Sequence, residues 1–343
     1  MIRRTSCIIA RTGDACRNLA IEKHLMDTLP DSTAILFLHQ SRYAITTGRN
    51  QNPWYECNVE AFLESGGTLT KRLTGSGAMY ADEGVLGYSL ILPKDDFSAS
   101  RQLAMLAHAL QQLGAAVQPG PCASLTTGGK RLCLNAFHKA GATAIHDGCI
   151  FISADQQRMG EALLPGGKRL KGQTRPSIAS LYTNLNEHLP PITIEAVQEA
   201  LYRSFTAIYG HQPVWLDEQM LDEASIQKTA ATFADPLWVY PEALPYNFSV
   251  DESFPWGNVT VLLQRENGMI KAARIFTDAM ESPLFDLIQQ ALTGCPYLIG
   301  AISMRFQQRL GLLKDPRLLQ IAGDICTLIC GRIRALDRQG GGS

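Results

Sequence analysis

What the sequence lacks removes several classes of protein at once. Its nine cysteines include no Cys-x-x-Cys pair, so neither a zinc ribbon nor a thioredoxin-like motif is indicated. No apolar run approaches the roughly 18 residues that a membrane-spanning helix needs. Charge of one sign is not in excess: the formal net charge is -1, which argues against coating nucleic acid or an acidic lipid surface. The opening stretch is basic, but its apolar run, Cys7–Ala10, is too short for a signal-peptide core. Internal repeats and low-complexity tracts are absent. An odd number of scattered thiols then reads as reduced cysteine in a cytoplasmic compartment, with Cys326 and Cys330 packed into a helix face.

What is present is an ordinary globular composition, 45% hydrophobic and 18% charged over 343 residues. That length allows a large domain and a smaller one. Cys7–Ala10, Ala34–His39 and Ala44–Thr47 read as short strands, and the spacing of Leu19, Ile21, Leu25 and Leu29 predicts a helix over Asn18–Leu29. A short helix is expected at Val59–Glu64 and longer ones at Arg101–Leu113 and Ala196–Ile208. Lys130–Phe137 and Ala142–Ile152 read as paired strands. After a proline-rich stretch around Asp235–Asp251, Val259–Gln264 and Met269–Phe276 form a hairpin signal across Asn267-Gly268. Helices at Pro283–Leu292, Ala301–Leu310 and Leu318–Leu336 follow. Hairpins mixed with surface helices argue for α+β rather than repeated βαβ units.

The chemistry is expected around Lys71-Arg72-Leu73-Thr74-Gly75-Ser76-Gly77-Ala78-Met79-Tyr80. Glycines let a backbone approach a ligand closely, and successive N–H groups in such a turn can cradle an anion. Arg72 could hold a carboxylate or phosphate bidentately. Strand neighbours face opposite ways, so only one of Lys71 and Arg72 can aim at the same site. A Gly-Ser-Gly between strands can equally be a plain hairpin turn, and Asp82 could brace that turn or meet substrate.

Upstream of this turn lies Gly48-Arg49-Asn50-Gln51-Asn52-Pro53-Trp54-Tyr55-Glu56-Cys57-Asn58, and downstream Ala78-Met79-Tyr80-Ala81-Asp82. With Asn18-Leu19-Ala20-Ile21-Glu22, Ile145-His146-Asp147-Gly148-Cys149-Ile150, Asn247–Gly257 and Ile275-Phe276-Thr277-Asp278, these resemble the lipoate–protein ligase A family in order along nearly the whole chain. The resemblance implies a mixed-sheet, biotin/lipoate ligase-like α+β catalytic domain over residues 1–245. It implies an α+β C-terminal accessory domain over residues 250–337, leaving 338–343 as a tail. It further implies a monomer that uses ATP, with its Mg²⁺, to convert lipoate to an acyl-adenylate. The acyl group then passes to lipoyl-acceptor domains of 2-oxo acid dehydrogenase E2 or to the glycine-cleavage H protein, with no nucleic acid or membrane partner. In that frame Arg72, Gly77, Ala78, Met79 and Tyr80 bind the nucleotide, with support from Lys71, Gly75, Ser76, Asp82 and His146.

The sequence departs from the family pattern around its second motif. The family's lysine motif, G-x-x-K-x-S-G-S-A, reads here Gly128-Gly129-Lys130-Arg131-Leu132-Cys133-Leu134-Asn135-Ala136. An ungapped match from Gly128 through Asp155 puts Arg131 at the lysine position. Lys130 could reach the site instead if a bulge at Gly128-Gly129 re-aimed it. Ser76 replaces a glycine, Ala81 a histidine, and Ile178 the arginine expected after Arg175-Pro176-Ser177. Two alternatives therefore stay open. One is ATP-independent octanoyl or lipoyl transfer with Cys122 as nucleophile, for which Cys133 and Cys149 are weaker candidates. The other is a non-catalytic module that binds a lipoyl domain or an acyl-adenylate. His138 and His146 lack companions at metal-ligand spacing, so no dedicated metal site is expected.

Overall fold

A computed structural model describes residues 1–163, 178–240 and 245–340. The chain divides into two compact units, Met1–Pro241 and Glu242–Ser343.

The larger unit is built on eleven strands among the described residues: β1 (Arg4–Ile9), β2 (Thr33–His39), β3 (Tyr43–Thr47), β4 (Thr68–Lys71), β5 (Met79–Asp82), β6 (Val85–Pro93), β7 (Gln118–Pro119), β8 (Leu125–Thr127), β9 (Lys130–Ala140), β10 (Thr143–Phe151) and β11 (Val214–Trp215). Eight of them form one mixed sheet in the order β11-β1-β2-β6-β10-β9-β8-β7, and the other three form a small sheet ordered β4-β3-β5. The large sheet is buried on both faces. On one, Leu36, Leu38, Leu86, Tyr88, Leu90 and Ile150 pack under the helices Ala99–Gln112 and Ile194–Tyr209. On the other, Ile35, Phe37, Ile91 and Ile145 meet the helices Ala15–Asp27 and Glu223–Ala234. Farther along that same face, Ala136, Cys149 and Phe151 meet the small sheet.

Local chemistry sets the helix ends. Asp14 caps the first long helix by accepting from the Arg17 N–H, so it starts three residues before the position expected from its apolar spacing. Ser98 likewise caps Ala99–Gln112. Gly128 and Gly129 both take positive φ and make the two-residue turn between β8 and β9, not a bulge. The register skip falls instead at Leu132, since Thr126 pairs with Arg131 but Leu125 pairs with Cys133.

The smaller unit is an antiparallel meander of β12 (Phe248–Phe254), β13 (Gly257–Glu266) and β14 (Met269–Thr277). Asn267 and Gly268 both have positive φ, as the tight Asn-Gly turn requires. Val259, Val261, Leu263 and Ile275 pack on the helices Ser282–Leu292, Ile299–Leu310 and Pro316–Gly340. That last helix continues through residues 338–340, which sequence reading assigned to a tail. Residues 341–343 and the Arg175-Pro176-Ser177 motif lie outside the described residues. No described helix is long and apolar enough to cross a membrane.

Candidate functional site

Two turns lie against each other beside the small sheet. The first follows β3: Gly48 donates its N–H to Gln51 Oε1 at 2.9 Å, and Asn52 caps the short helix that Pro53 begins. The second is Thr74–Gly77. The Arg49 N–H donates to the Thr74 carbonyl at 2.8 Å, tying the two together. A Cβ on Gly48 would overlap the Ser76 carbonyl oxygen, so glycine is what permits this approach. Over Gly77, by contrast, an added Cβ meets nothing within 4 Å, so space is open on that side of the turn.

Arg72 lies buried beneath the glycine turn at 1% exposure. Its Nη2 donates to the carbonyls of Gly75 and Gly77, each at 2.6 Å, and Nη1 donates to Thr46 O at 2.6 Å. Nε donates to Thr74 Oγ1 at 2.9 Å and lies 3.7 Å from Asp147 Oδ2. Thr74 in turn donates its hydroxyl to Asp147 at 3.0 Å. Three donors of one guanidinium thus fix the path of the turn, and the fourth ties it to β3. Lys71 is also buried, and its carbonyl accepts from Trp238 Nε1 at 2.7 Å.

Ser76 holds φ at 70°, a left-handed conformation that costs a residue with a Cβ about 1–2 kcal/mol. Ser76→Gly should therefore raise the stability of the larger unit by about 0.5–1 kcal/mol after glycine's own entropy cost. Chemical denaturation checks this, and a loss of stability would show that the Ser76 side chain contributes a compensating contact.

Asp82 is a brace. It accepts from Tyr80 Oη at 3.0 Å, from the Gly84 N–H at 2.8 Å and from the Asp155 N–H at 2.9 Å. Met79 and Tyr80 are buried on β5, while Ala78 is half-buried at the end of the turn.

The basic pair at the start of β9 is divided by the register skip at Leu132. Thr126 lies on the face opposite Leu125, and Arg131 pairs with it. Leu132 turns into the helix-covered core together with Cys133. The Arg131 guanidinium lies 6.0 Å from the centroid of Tyr182, whose ring meets Phe151 edge-on at 5.6 Å and packs against the cluster that holds Ala136 and Cys149 beside the small sheet. Arg131 therefore shares the sheet face on which the glycine turn lies, and Lys130 takes the alternate position. Sequence reading had no way to see this skip, because nothing in Arg131-Leu132-Cys133 distinguishes a bulge from a regular strand.

His146 and Asp147 point to opposite faces of β10. His146 lies on the helix-covered face between Tyr88 and Phe137, with Nε2 2.7 Å from Asn135 Oδ1. Burial pushes its pKa down to about 3, so it is neutral. Asn135 also contacts the Tyr88 hydroxyl and donates to the Ala123 carbonyl at 2.7 Å. Asn135 thereby anchors the loop in which Cys122 and Ala123 hold φ of 54° and 55°. Cys122 is exposed, whereas burial raises the Cys133 thiol to about 12 and pushes that of Cys149 up as well. Among the described residues no group of three or more His, Cys, Asp or Glu side chains could hold a metal ion.

Residues 14–206 match the lipoyl protein ligase A/B catalytic domain, and residues 243–310 match the bacterial lipoate protein ligase C-terminus. The fold matches that of P. falciparum LipL1 in complex with lipoate, with a TM-score of 0.82 at 22% identity over 94% of this chain and 99% of that one. It also matches the bi-partite lipoate protein ligase of Thermoplasma acidophilum, described with its E2 lipoyl domain. There the TM-score is 0.59 at 17% identity, over 70% of this chain and 99% of that one. A lipoate-protein ligase A bound with ATP gives 0.56 at 18% identity, over 69% and 96% respectively. These likenesses establish the mixed α+β fold with its smaller C-terminal unit.

Proposed function

The chain belongs to the lipoyl protein ligase A/B family, and on that premise we propose that it is an ATP-dependent lipoate–protein ligase whose chemistry runs over the Thr74–Gly77 turn. The observation that carries this reading is the construction of that turn: Arg72 holds two of its carbonyls from below while the space over Gly77 stays open. Carbonyls drawn inward leave the turn's N–H groups to face an anion. Ala78, Met79 and Tyr80 continue from the turn along the nucleotide. Arg72 acts from beneath, by holding the turn in shape, while the Lys71 carbonyl ties the end of β4 to Trp238.

A lipoate carboxylate oxygen attacks the α-phosphorus of ATP, and pyrophosphate leaves. Charge on the phosphoryl oxygens is met by the turn's N–H groups and by Arg131, which takes the place of the family lysine. A lysine amine of a lipoyl domain then attacks the acyl carbon, and AMP leaves. The acceptors are lipoyl domains of 2-oxo acid dehydrogenase E2 and the H protein, and the unpaired cysteines suit a cytoplasmic setting. Mg²⁺ would arrive with ATP, as the reaction class requires for the nucleotide's phosphates.

The test is transfer of lipoate to a purified lipoyl domain, read by mass as modification of one lysine. Modification should require ATP and survive Cys122→Ala. If transfer instead needs an acyl carrier, ignores ATP and disappears in Cys122→Ala, the transferase chemistry replaces this reading. Binding of the lipoyl domain without any modification would make the chain a non-catalytic module.

A further inference from the structure

Beneath the glycine turn the larger unit buries a second carboxylate that the ligase chemistry does not use. Glu22 on the first long helix is 2% exposed, and its Oε1 accepts the hydroxyl of Ser89 on β6. Asp147 on β10 is 5% exposed and raises the Glu22 pKa through space. Asp147 pairs directly with Ser89 across β10 and β6, which sets Glu22 beside it, and the buried Arg72 acts on both carboxylates, with Cys149 and Glu56 acting on Arg72 as well.

Two buried carboxylates against one guanidinium leave a net negative charge in a low-dielectric interior, which is costly unless one carboxyl keeps its proton. The position of the guanidinium says which one. Asp147 Oδ2 takes the Thr74 hydroxyl and lies 3.7 Å from Arg72 Nε, so a negative charge is stabilised there. Glu22 likewise accepts one hydroxyl, that of Ser89 at Oε1, and each carboxylate leaves one oxygen, Glu22 Oε2 and Asp147 Oδ1, without a partner among the described residues, so the guanidinium beside Asp147 is what separates them.

We propose that Glu22 and Asp147 share one proton and one negative charge beneath the turn, and that this charge, relayed through Thr74 and Arg72, holds the turn in its working shape. Asp147 is thus a positioning residue, and Glu22 is its proton-carrying partner. The assignment of a nucleotide to this turn rests on the ligase reading, but the positioning itself does not.

The balance sets a pH dependence with a definite sign. Burial, reinforced by Asp147, lifts Glu22 to about 8, while burial lifts Asp147 to about 6 against the opposing pull of Arg72. A raised carboxyl favours the protonated folded state, so stability falls as pH rises from the unfolded value of about 4 toward the folded one. Ionising Glu22 above pH 8 adds a second charge beside Asp147 and should loosen the turn.

Hydrogen exchange by mass spectrometry on the full chain reads this directly, using the peptide that contains residues 73–80 between pH 6.5 and 9, corrected for intrinsic rates. In Asp147→Asn the turn should exchange tenfold or more faster at neutral pH. Thr74→Val, which removes only the hydroxyl relay, should move it the same way by a smaller factor. Wild type should show extra loosening above pH 8, and Glu22→Gln should abolish that alkaline limb. Wild-type protection of the turn in both Asp147→Asn and Thr74→Val would overturn the proposal. So would identical pH profiles for wild type and Glu22→Gln. ATP binding measured on the same samples separates the two claims: the expected exchange pattern without ATP binding supports the positioning and removes the nucleotide.

Discussion

Replacing Arg131 with alanine should lower lipoate-dependent ATP–pyrophosphate exchange by a hundredfold or more, while Lys130→Ala changes it less than threefold. The asymmetry follows from one skipped residue. Had β9 run regularly from Leu134 back to Lys130, alternation would have put Lys130 on the glycine-turn face and Arg131 on the other. Because Leu125 pairs with Cys133 and Thr126 with Arg131, Leu132 is the extra residue, and the two cations exchange faces. The size of the effect is that of removing one preorganised donor from a developing oxyanion, about 3–4 kcal/mol. Arginine is always charged and broad where lysine is compact, so Arg131→Lys should recover only part of the rate. A loss confined to Lys130→Ala would show that the register in solution differs from the one described.

Gly48→Ala should cost the larger unit about 3 kcal/mol and remove most nucleotide binding. The new methyl group would overlap the Ser76 carbonyl and lie 3.0 Å from that of Gly75, both backbone atoms that cannot rotate away. Relieving the overlap means pushing the whole Thr74–Gly77 turn off its Arg72 support. Calorimetry should show the larger unit's transition falling by roughly 6–12 °C for a loss of that size in a unit of this length. Gly77→Ala is the contrasting case. An added Cβ meets nothing there within 4 Å, so folding stability should change by less than about 0.5 kcal/mol. Its methyl would project into the space proposed for the nucleotide, so ATP affinity should fall without a shift in melting. Equal effects of the two alanines on melting would show that the turn is not held as described.

Much of the scaffold was legible because local chemistry alone fixes it. Val59–Glu64, closed by Gly66-Gly67, and the Asn267-Gly268 hairpin follow from spacing and turn preference within a few residues. The pairing of β1 with β11 joins Cys7 to Trp215 across some two hundred residues, and no local pattern announces it. The helix Glu223–Ala234 was missed as well, because only Ile226 and Phe233 on it are buried and its apolar stripe is thin. At the site, the sequence marked the glycine turn and its arginine but could not tell what Arg72 would do. Its four donors are taken by two local carbonyls, by Thr46 and by Thr74, partners visible only once β3 and β4 lie side by side. The separation of His146 from Asp147 follows from strand alternation, yet which face meets the turn depended on tertiary packing.

Lipoate-dependent exchange of labelled pyrophosphate into ATP, on the folded wild-type chain without any acceptor protein, tests the central claim most directly. The account predicts exchange that needs lipoate and falls away in Arg131→Ala. Folded protein that gives no exchange with lipoate or a shorter acyl acid would contradict it.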